Sequence, residues 1–271
     1  MADGRASSAD GADDDGSDRA AGWRITAGLL RSLLIYHAVP FKIGRLAQLY
    51  RPFLKPGDLA FDLGAHVGDR TRAFLRLGAR VVAVEPHPTF AGLLERWYRR
   101  NRRVTVVPAA VGAAPGRGLL RLSDRTPTVS SLSLEWVERV RRAPRFGAVR
   151  WDRQVPVAVT TLDSLIDRFG EPAFCKIDVE GSELAALQGL SRPIPALSFE
   201  YIPALGEATR GCLGRLESLG EYEYNWAERE IPRLRSAVWL GSEAIWQIIA
   251  ELPAEAHSGD IYARQRRPSG Q

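Results

Sequence analysis

The sequence predicts an α/β protein built on a doubly wound, largely parallel sheet, and three observations carry that expectation. Short apolar runs alternate with amphipathic stretches of helical spacing, as strands buried on both faces and their covering helices do. The first of these runs ends in the glycine-bearing turn Asp62-Leu63-Gly64-Ala65-His66-Val67-Gly68. Later runs end in acids, at Glu85, at Asp178 and Glu180, and at Glu200. In an open α/β sheet the carboxyl ends of the strands are where ligands bind.

Each element follows in order along the chain. Residues 1–20 lack bulky apolar side chains and carry six Asp against two Arg, which predicts a disordered acidic tail. Residues 21–56 contain two apolar runs of helical spacing parted by Pro40, which predicts two short helices ahead of a main domain over 57–271. Pro56-Gly57-Asp58 makes a turn. LAFDLGA (59–65) is the first strand, and a helix runs from about Gly68 to Leu77. RVVAVEP (80–86) is the second strand, followed by a helix through Arg100, and VTVVPAAVG (104–112) is the third. AFCKIDVEG (173–181) and ALSFEYI (196–202) are the fourth and fifth, with helices over 182–190 and near 207–219. EYEYNWAE (221–228) and GDIYARQ (259–265) close the series. Between about 115 and 170 the alternation breaks. That stretch holds strand-like GLLRLS and VPVAVTT, a hydroxyl-rich loop over 126–133 and a helix near 134–142. It reads as an insertion over the carboxyl ends of the strands.

Composition narrows the class. The chain has 271 residues, 45% hydrophobic and 25% charged, enough to bury roughly three-quarters of its unfolded surface. Two cysteines, Cys175 and Cys212, exclude a disulfide framework and a cysteine-rich zinc site. No apolar run approaches the ~20 residues that span a bilayer. The N-terminus is acidic where a secretory signal is basic and then apolar. The expectation is a cytoplasmic protein with no membrane span. The formal charge of +5 comes from 37 basic and 32 acidic residues, and all the basic ones but Lys42, Lys55 and Lys176 are arginine. That skew follows from GC-rich codon usage. The densest run, Arg96, Arg99, Arg100, Arg102 and Arg103 around Trp97 and Tyr98, has the composition of a phosphate- or base-binding patch. It reads first as the solvated face of a helix, so nucleic acid is not the expected partner.

The turn after the first strand selects the cofactor. A dinucleotide site wants G-x-G-x-x-G so that the chain can hug a pyrophosphate. Here the pattern is D-x-G-x-x-x-G, with Asp62 two residues before Gly64, which suits S-adenosylmethionine, a molecule without phosphates. Glu85 lies 21 residues beyond Gly64, placed to accept hydrogen bonds from both hydroxyls of an adenosine ribose. Strand alternation through KIDVE puts Asp178 and Glu180 on one face, and Glu200 ends the neighbouring strand. Glu183 reads as a first-turn acid facing the helix dipole.

Methyl transfer from a sulfonium needs alignment and exclusion of water, and a hydroxyl acceptor gains from a nearby base. Asp178 is the first candidate base and Glu180 the second. His66 and His87 are rivals, although both also read as loop residues capping backbone groups. Asp178, Glu180 and Glu200 together offer a site for Mg2+ that the reaction does not require. Trp136 and Trp151, with the 126–133 loop, suit a sugar platform or ordinary core. Tyr36 and His37 are near enough in sequence to the main domain to reach the same mouth.

FDLGAHVGDRT, VVAVEPHP, VPAAVG, TLDSLI, KIDVEGSE and SFEYIP, in this order, resemble the FkbM family of S-adenosylmethionine-dependent methyltransferases. The resemblance runs from about residue 50 to 205, and KIDVEGSE following TLDSLI is its most specific element. It implies a class I methyltransferase fold, Rossmann-like, with a seven-stranded sheet whose last strand is antiparallel. It also implies O-methylation of a hydroxyl on a sugar, glycoconjugate or natural product, so a small-molecule or glycan acceptor; the alternatives are methylation of RNA, which the arginine run weakly supports, and a non-catalytic binding module that keeps the fold. Carried onto matching positions, Asp62, Gly64, Ala65, His66 and Gly68 line the methionine end, with Thr71 from the same motif. Glu85 and Pro86 meet the ribose, Ala109 or Ala110 borders the adenine, and Asp178 faces the methyl group. Many members carry Asn where this chain has His66.

Overall fold

The computed structural model describes residues 42–123, 130–133, 136–138, 151, 153–229 and 231–266. The expected acidic tail, the first N-terminal helix, Tyr36 and His37, and most of the 124–150 stretch lie outside the described residues.

A seven-stranded sheet forms the centre. Its strands are β1 (Leu59–Leu63), β2 (Arg80–Val84), β3 (Val104–Val107), β7 (Phe174–Ile177), β8 (Ala196–Tyr201), β9 (Tyr222–Glu228) and β10 (Gly259–Gln265), in the order β3-β2-β1-β7-β8-β10-β9. All pairs are parallel except those of β10, which runs antiparallel to both β8 and β9. The order reverses between β1 and β7, so the crevice at the carboxyl ends of these two strands is the switch point at which such sheets bind ligands. The two small strands β4 (Ala110–Val111) and β5 (Gly116–Leu122) join β6 (Arg153–Thr160) in a second sheet, order β4-β6-β5.

Alternation along the strands sends residues to opposite faces, and both faces are covered. Phe61, Leu63, Val82, Val84, Ile177 and Phe199 pack toward α4 (Leu162–Phe169), α5 (Glu183–Gln188), α6 (Gly206–Leu219) and α7 (Ser242–Ala250). Ala60, Val81, Phe174 and Tyr262 pack toward α1 (Lys42–Tyr50) and α2 (Asp69–Arg76). On that second face Tyr50 meets Phe74 edge to face at 4.8 Å and Phe174 at 5.3 Å, and Phe53 stacks on Tyr262. Burying each such aromatic side chain contributes about 1.5–3 kcal/mol. The last helix on this side, α3 (Pro88–Tyr98), buries Phe90 and Leu94.

Three sequence expectations change in detail. VTVVPAAVG is two strands, because Pro108 has no N–H for the ladder; β3 ends at Val107, and β4 leaves for the second sheet, where Ala110 pairs Val159. The stretch apart from the main layers is shorter than 115–170. TLDSL within it starts a helix: the Thr161 hydroxyl accepts the Ser164 N–H at 3.1 Å as an N-cap, and Leu162, Leu165 and Ile166 join the main core. Finally, strand pairing stops at Ile177, so alternation does not carry through Asp178 to Glu180. The chain turns there, with Glu180 left-handed at φ 51°.

Candidate active site

At the switch point a cavity of about 760 Å3 opens at the carboxyl ends of the strands. The turn after β1 forms its floor. The N–H groups of Gly64 and Ala65 both donate to the Val84 carbonyl, at 2.8 and 3.1 Å, which folds the turn back over β2. Gly64 has φ 77°, and a Cβ there would lie 1.7 Å from the Asp178 carbonyl oxygen; only glycine lets the ends of β1 and β7 approach this closely. Gly68, also at φ 77°, precedes α2 against Leu94 and Tyr98. It does not line the cavity.

The acids at the strand ends are each tied to something specific. The Glu85 carboxylate accepts the His66 N–H on one oxygen at 2.7 Å and the His87 N–H on the other at 2.8 Å. It is 5% exposed and borders the cavity. Burial pushes its pKa up to about 7, against the pull of those two amides. Asp62 accepts the Thr71 hydroxyl at 2.5 Å, and burial raises its pKa to about 6. Thr71 is fully buried and stands behind Asp62, away from the cavity wall. Asp69 pairs with Lys42 at 2.8 Å and with Arg72, so α1 is fastened to the start of α2.

The two histidines have different surroundings. His66 stands at φ 49° with its ring 4.0 Å from that of Phe90. Burial, with His87 beside it, lowers its pKa to about 4. The His87 ring caps α3, its Nδ1 accepting the Thr89 N–H at 3.2 Å. Burial, with Arg153 nearby, brings its pKa to about 4 as well. Both rings are neutral at pH 7.

Opposite Glu85 lies a denser acidic group. Asp178 sits 3.3 Å from the fully buried Lys176 Nζ, which also meets Asp260 at 2.9 Å. Burial alone would raise the Asp178 pKa, but Lys176 and Arg70 outweigh it and hold the carboxyl below the usual range. Asp178 is therefore an ionised partner of Lys176 and a weak base. Glu180 and Glu200 differ from it. Burial raises both well above the ordinary glutamate range, and crowding adds to this, by Glu200 and Asp178 on Glu180 and by Asp178 and Glu183 on Glu200. All three carboxylates border the cavity. Among the described residues no group of three or more His, Cys, Asp or Glu is arranged to hold a metal ion. Glu183 faces away, accepting the Val179 and Gly181 N–H groups at 3.1 and 3.2 Å.

The cavity thus brings together Asp62, Gly64, Ala65, His66, Glu85, Pro86, Ala109, Ala110, Asp178, Glu180 and Glu200, while Gly68 and Thr71 support it from outside. The second sheet and its loop supply Leu120, Ser130, Leu132 and Trp136; Trp151 packs behind Trp136, edge to face at 6.2 Å. Sequence reasoning missed Arg70, Arg229 and the stretch from Ala254 to Asp260. The antiparallel sense of β10 was the available signal: a strand running backwards brings its beginning to the ligand edge, and Asp260 pairs Glu200 there. The arginine run ends α3, whose first residues adjoin the cavity. Eleven helical residues, roughly 16 Å at 1.5 Å each, carry Arg99 and Arg100 toward the other end of the sheet.

The chain is similar in structure to an O-methyltransferase from Bacillus cereus in complex with SAH, at 13% identity and a TM-score of 0.47, over 89% of this chain and 91% of that one. It is also similar to a precorrin-6y C5,15-methyltransferase from Geobacter metallireducens, at 14% identity and a TM-score of 0.43, over 82% and 86%. A SAM-dependent O-methyltransferase from Thermotoga maritima compares at 14% identity and a TM-score of 0.40, over 86% and 68%. No curated protein matches it in sequence. The family model described as the methyltransferase FkbM domain matches residues 62–208, the span from Asp62 to the first turn of α6 that contains the turn, Glu85 and the acids after β7. The chain therefore belongs to the FkbM methyltransferase family.

Proposed function

We propose that this protein transfers a methyl group from S-adenosylmethionine to a hydroxyl of a sugar, glycoconjugate or natural product, with a carboxylate taking the hydroxyl proton. The observation that carries the reading is the division of the cavity. Glu85, aimed by two main-chain amides, stands at one side; the crowded Glu180 and Glu200 stand at the other.

The residues fit the methyl donor. Each Glu85 oxygen spends one lone pair on a main-chain N–H, which leaves one on each for the two hydroxyls of a ribose. Ala109 and Ala110, both 5% exposed, offer an apolar edge for a purine. Gly64 and Ala65 bring main chain to the cavity with no bulk in the way. Asp62 and the ionised Asp178 oppose positive charge. S-adenosylmethionine supplies a methyl already activated by its sulfonium.

What remains for the protein is alignment, dryness and one proton. Leu120, Leu132 and Trp136 line the cavity with apolar surface, which favours the exclusion of water. Glu180 is the base this geometry favours over Asp178, because a carboxyl whose pKa is raised accepts a proton from a hydroxyl more readily than one held low by Lys176. Glu200, crowded by the same charges, is placed to share that proton. His66 and His87, shifted well below neutral, are weak bases.

Calorimetric titration with S-adenosylhomocysteine, with NAD as control, tests the cofactor assignment. Transfer of labelled methyl from S-adenosylmethionine to a panel of glycosides and hydroxylated natural products tests the reaction. Glu180→Gln should retain S-adenosylhomocysteine binding and lose about 10²–10⁴ in turnover, the usual contribution of a general base. Binding of NAD in place of S-adenosylhomocysteine would overturn the donor. Full turnover by Glu180→Gln would overturn the base.

A further inference from the structure

The reading above needs Glu180 to point its carboxylate into the cavity, yet its backbone is left-handed, at φ 51°, where a residue with a side chain rarely rests. Something outside the strand must hold it, and the contacts identify what does. The Ser131 hydroxyl donates to the Glu180 main-chain carbonyl at 2.6 Å. That same oxygen accepts the Ser133 N–H at 3.0 Å, so the single hydroxyl proton is left for Glu180. Ser131 is 1% exposed. Its own main chain is fixed by a pair of hydrogen bonds with Arg121 of β5, at 3.0 and 3.2 Å, and the Arg121 guanidinium donates to the Leu132 carbonyl at 3.3 Å.

The next residue is held from the same side. A Cβ on Gly181 would lie 2.2 Å from Cδ1 of Trp136; the indole rests directly on the glycine, and the Ser133 hydroxyl accepts the Trp136 N–H of the main chain at 3.1 Å. From beneath, the Glu183 carboxylate accepts the Val179 and Gly181 amides. The loop is therefore clamped between α5 of the main domain and the segment attached to β5.

We infer that Ser131 is a positioning residue, which holds Glu180 in its left-handed turn so that the carboxylate faces Glu200 across the acceptor side of the cavity. The second sheet then does more than cover the site: it completes the arrangement of the base, through one hydroxyl and one indole. The inference rests on the proposed role of Glu180, and its test is independent of any acceptor.

The experiment follows the carboxyl groups of the full chain by carbon-13 NMR with glutamate labelled at Cδ, the Glu180 resonance being assigned by its loss in Glu180→Gln. In the native protein Glu180 should titrate above the ordinary glutamate range, because it is buried and because Glu200 and Asp178 crowd it. In Ser131→Ala the carboxylate leaves that neighbourhood, and its midpoint should fall back toward the free value. Ser131→Thr keeps the hydroxyl and should restore the native midpoint. Gly181→Ala, which pushes on Trp136 from the other side, should reproduce the fall and stands in if Ser131→Ala does not fold. A Glu180 midpoint unchanged in Ser131→Ala, or in Gly181→Ala where that variant is the one measured, overturns the inference while leaving methyl transfer untouched. Loss of S-adenosylhomocysteine binding by the native protein overturns the functional reading whatever Ser131 does.

Discussion

Glu85→Gln separates two duties of one carboxylate. In the native structure each oxygen accepts one amide, from His66 at 2.7 Å and from His87 at 2.8 Å. Glutamine has nearly the same shape but only one oxygen, so its NH2 must face one of the two N–H groups. One buried donor is left without an acceptor, which costs about 1–3 kcal/mol. For a chain of this size that lowers Tm by about 2–5 °C. In binding, a ribose hydroxyl loses a charged acceptor, a loss of about 1.5–3 kcal/mol, or roughly 10- to 150-fold in Kd for S-adenosylhomocysteine. The proper comparison is at pH 8. With its pKa near 7, Glu85 is mostly ionised there and mostly protonated at pH 6, so the difference between native and variant should narrow as the pH falls. Calorimetry at both pH values, with Tm by differential scanning, measures each part. If the variant binds S-adenosylhomocysteine within threefold of native at pH 8 and melts at the same temperature, both the ribose contact and the twofold amide anchorage are refuted.

Lys176→Met leaves Asp178 and Asp260 facing each other without their shared cation in a buried place; the loss should be about 3–5 kcal/mol, read from urea unfolding. Gly64→Ala combines a left-handed backbone, worth about 1–2 kcal/mol against a side chain, with a collision against the Asp178 carbonyl, and should abolish S-adenosylhomocysteine binding; a variant that binds normally would refute the close approach of β1 and β7. The protein without ligand should lose stability as pH rises from 6.5 to 8. Glu85 and Glu183 have folded pKa values near 7, raised from 4.5, so the folded state holds more protons than the unfolded one up to that pH. His66 and His87, lowered from 6.5 to about 4, act in the opposite sense, chiefly below 6.5, and their effect fades as the pH rises past it. A Tm that climbs across 6.5–8 would contradict these assignments.

Much of the scaffold was legible because its signals are local. Apolar runs of four to seven residues between turns mark strands whichever partners they find, and a glycine two residues after Asp62 marks a turn that a side chain would block. Glu85 was legible for the same reason: it ends a strand, and a strand's end in a parallel sheet is a place in space. The separation of VTVVPAAVG into two sheets was marked by Pro108, though its consequence depended on where β6 lay. TLDSL announced an N-cap, Thr161 with its helix, more than part of an insertion.

The roles of the acids were not local. Asp178 and Glu180 are two residues apart and both ionisable, and in the sequence Asp178 is the stronger candidate for a base. Lys176 reverses that order, because it lies fully buried between Asp178 and Asp260. Asp260 arrives from 84 residues away on a strand whose antiparallel sense brings its start to the ligand edge. Likewise Ser131 reaches Glu180 across 49 residues. Strand identity, the glycine turn after β1 and the family were written in neighbouring residues. Which carboxyl keeps its proton depends on burial and on charges a few ångströms away, and only the folded chain brings those charges together.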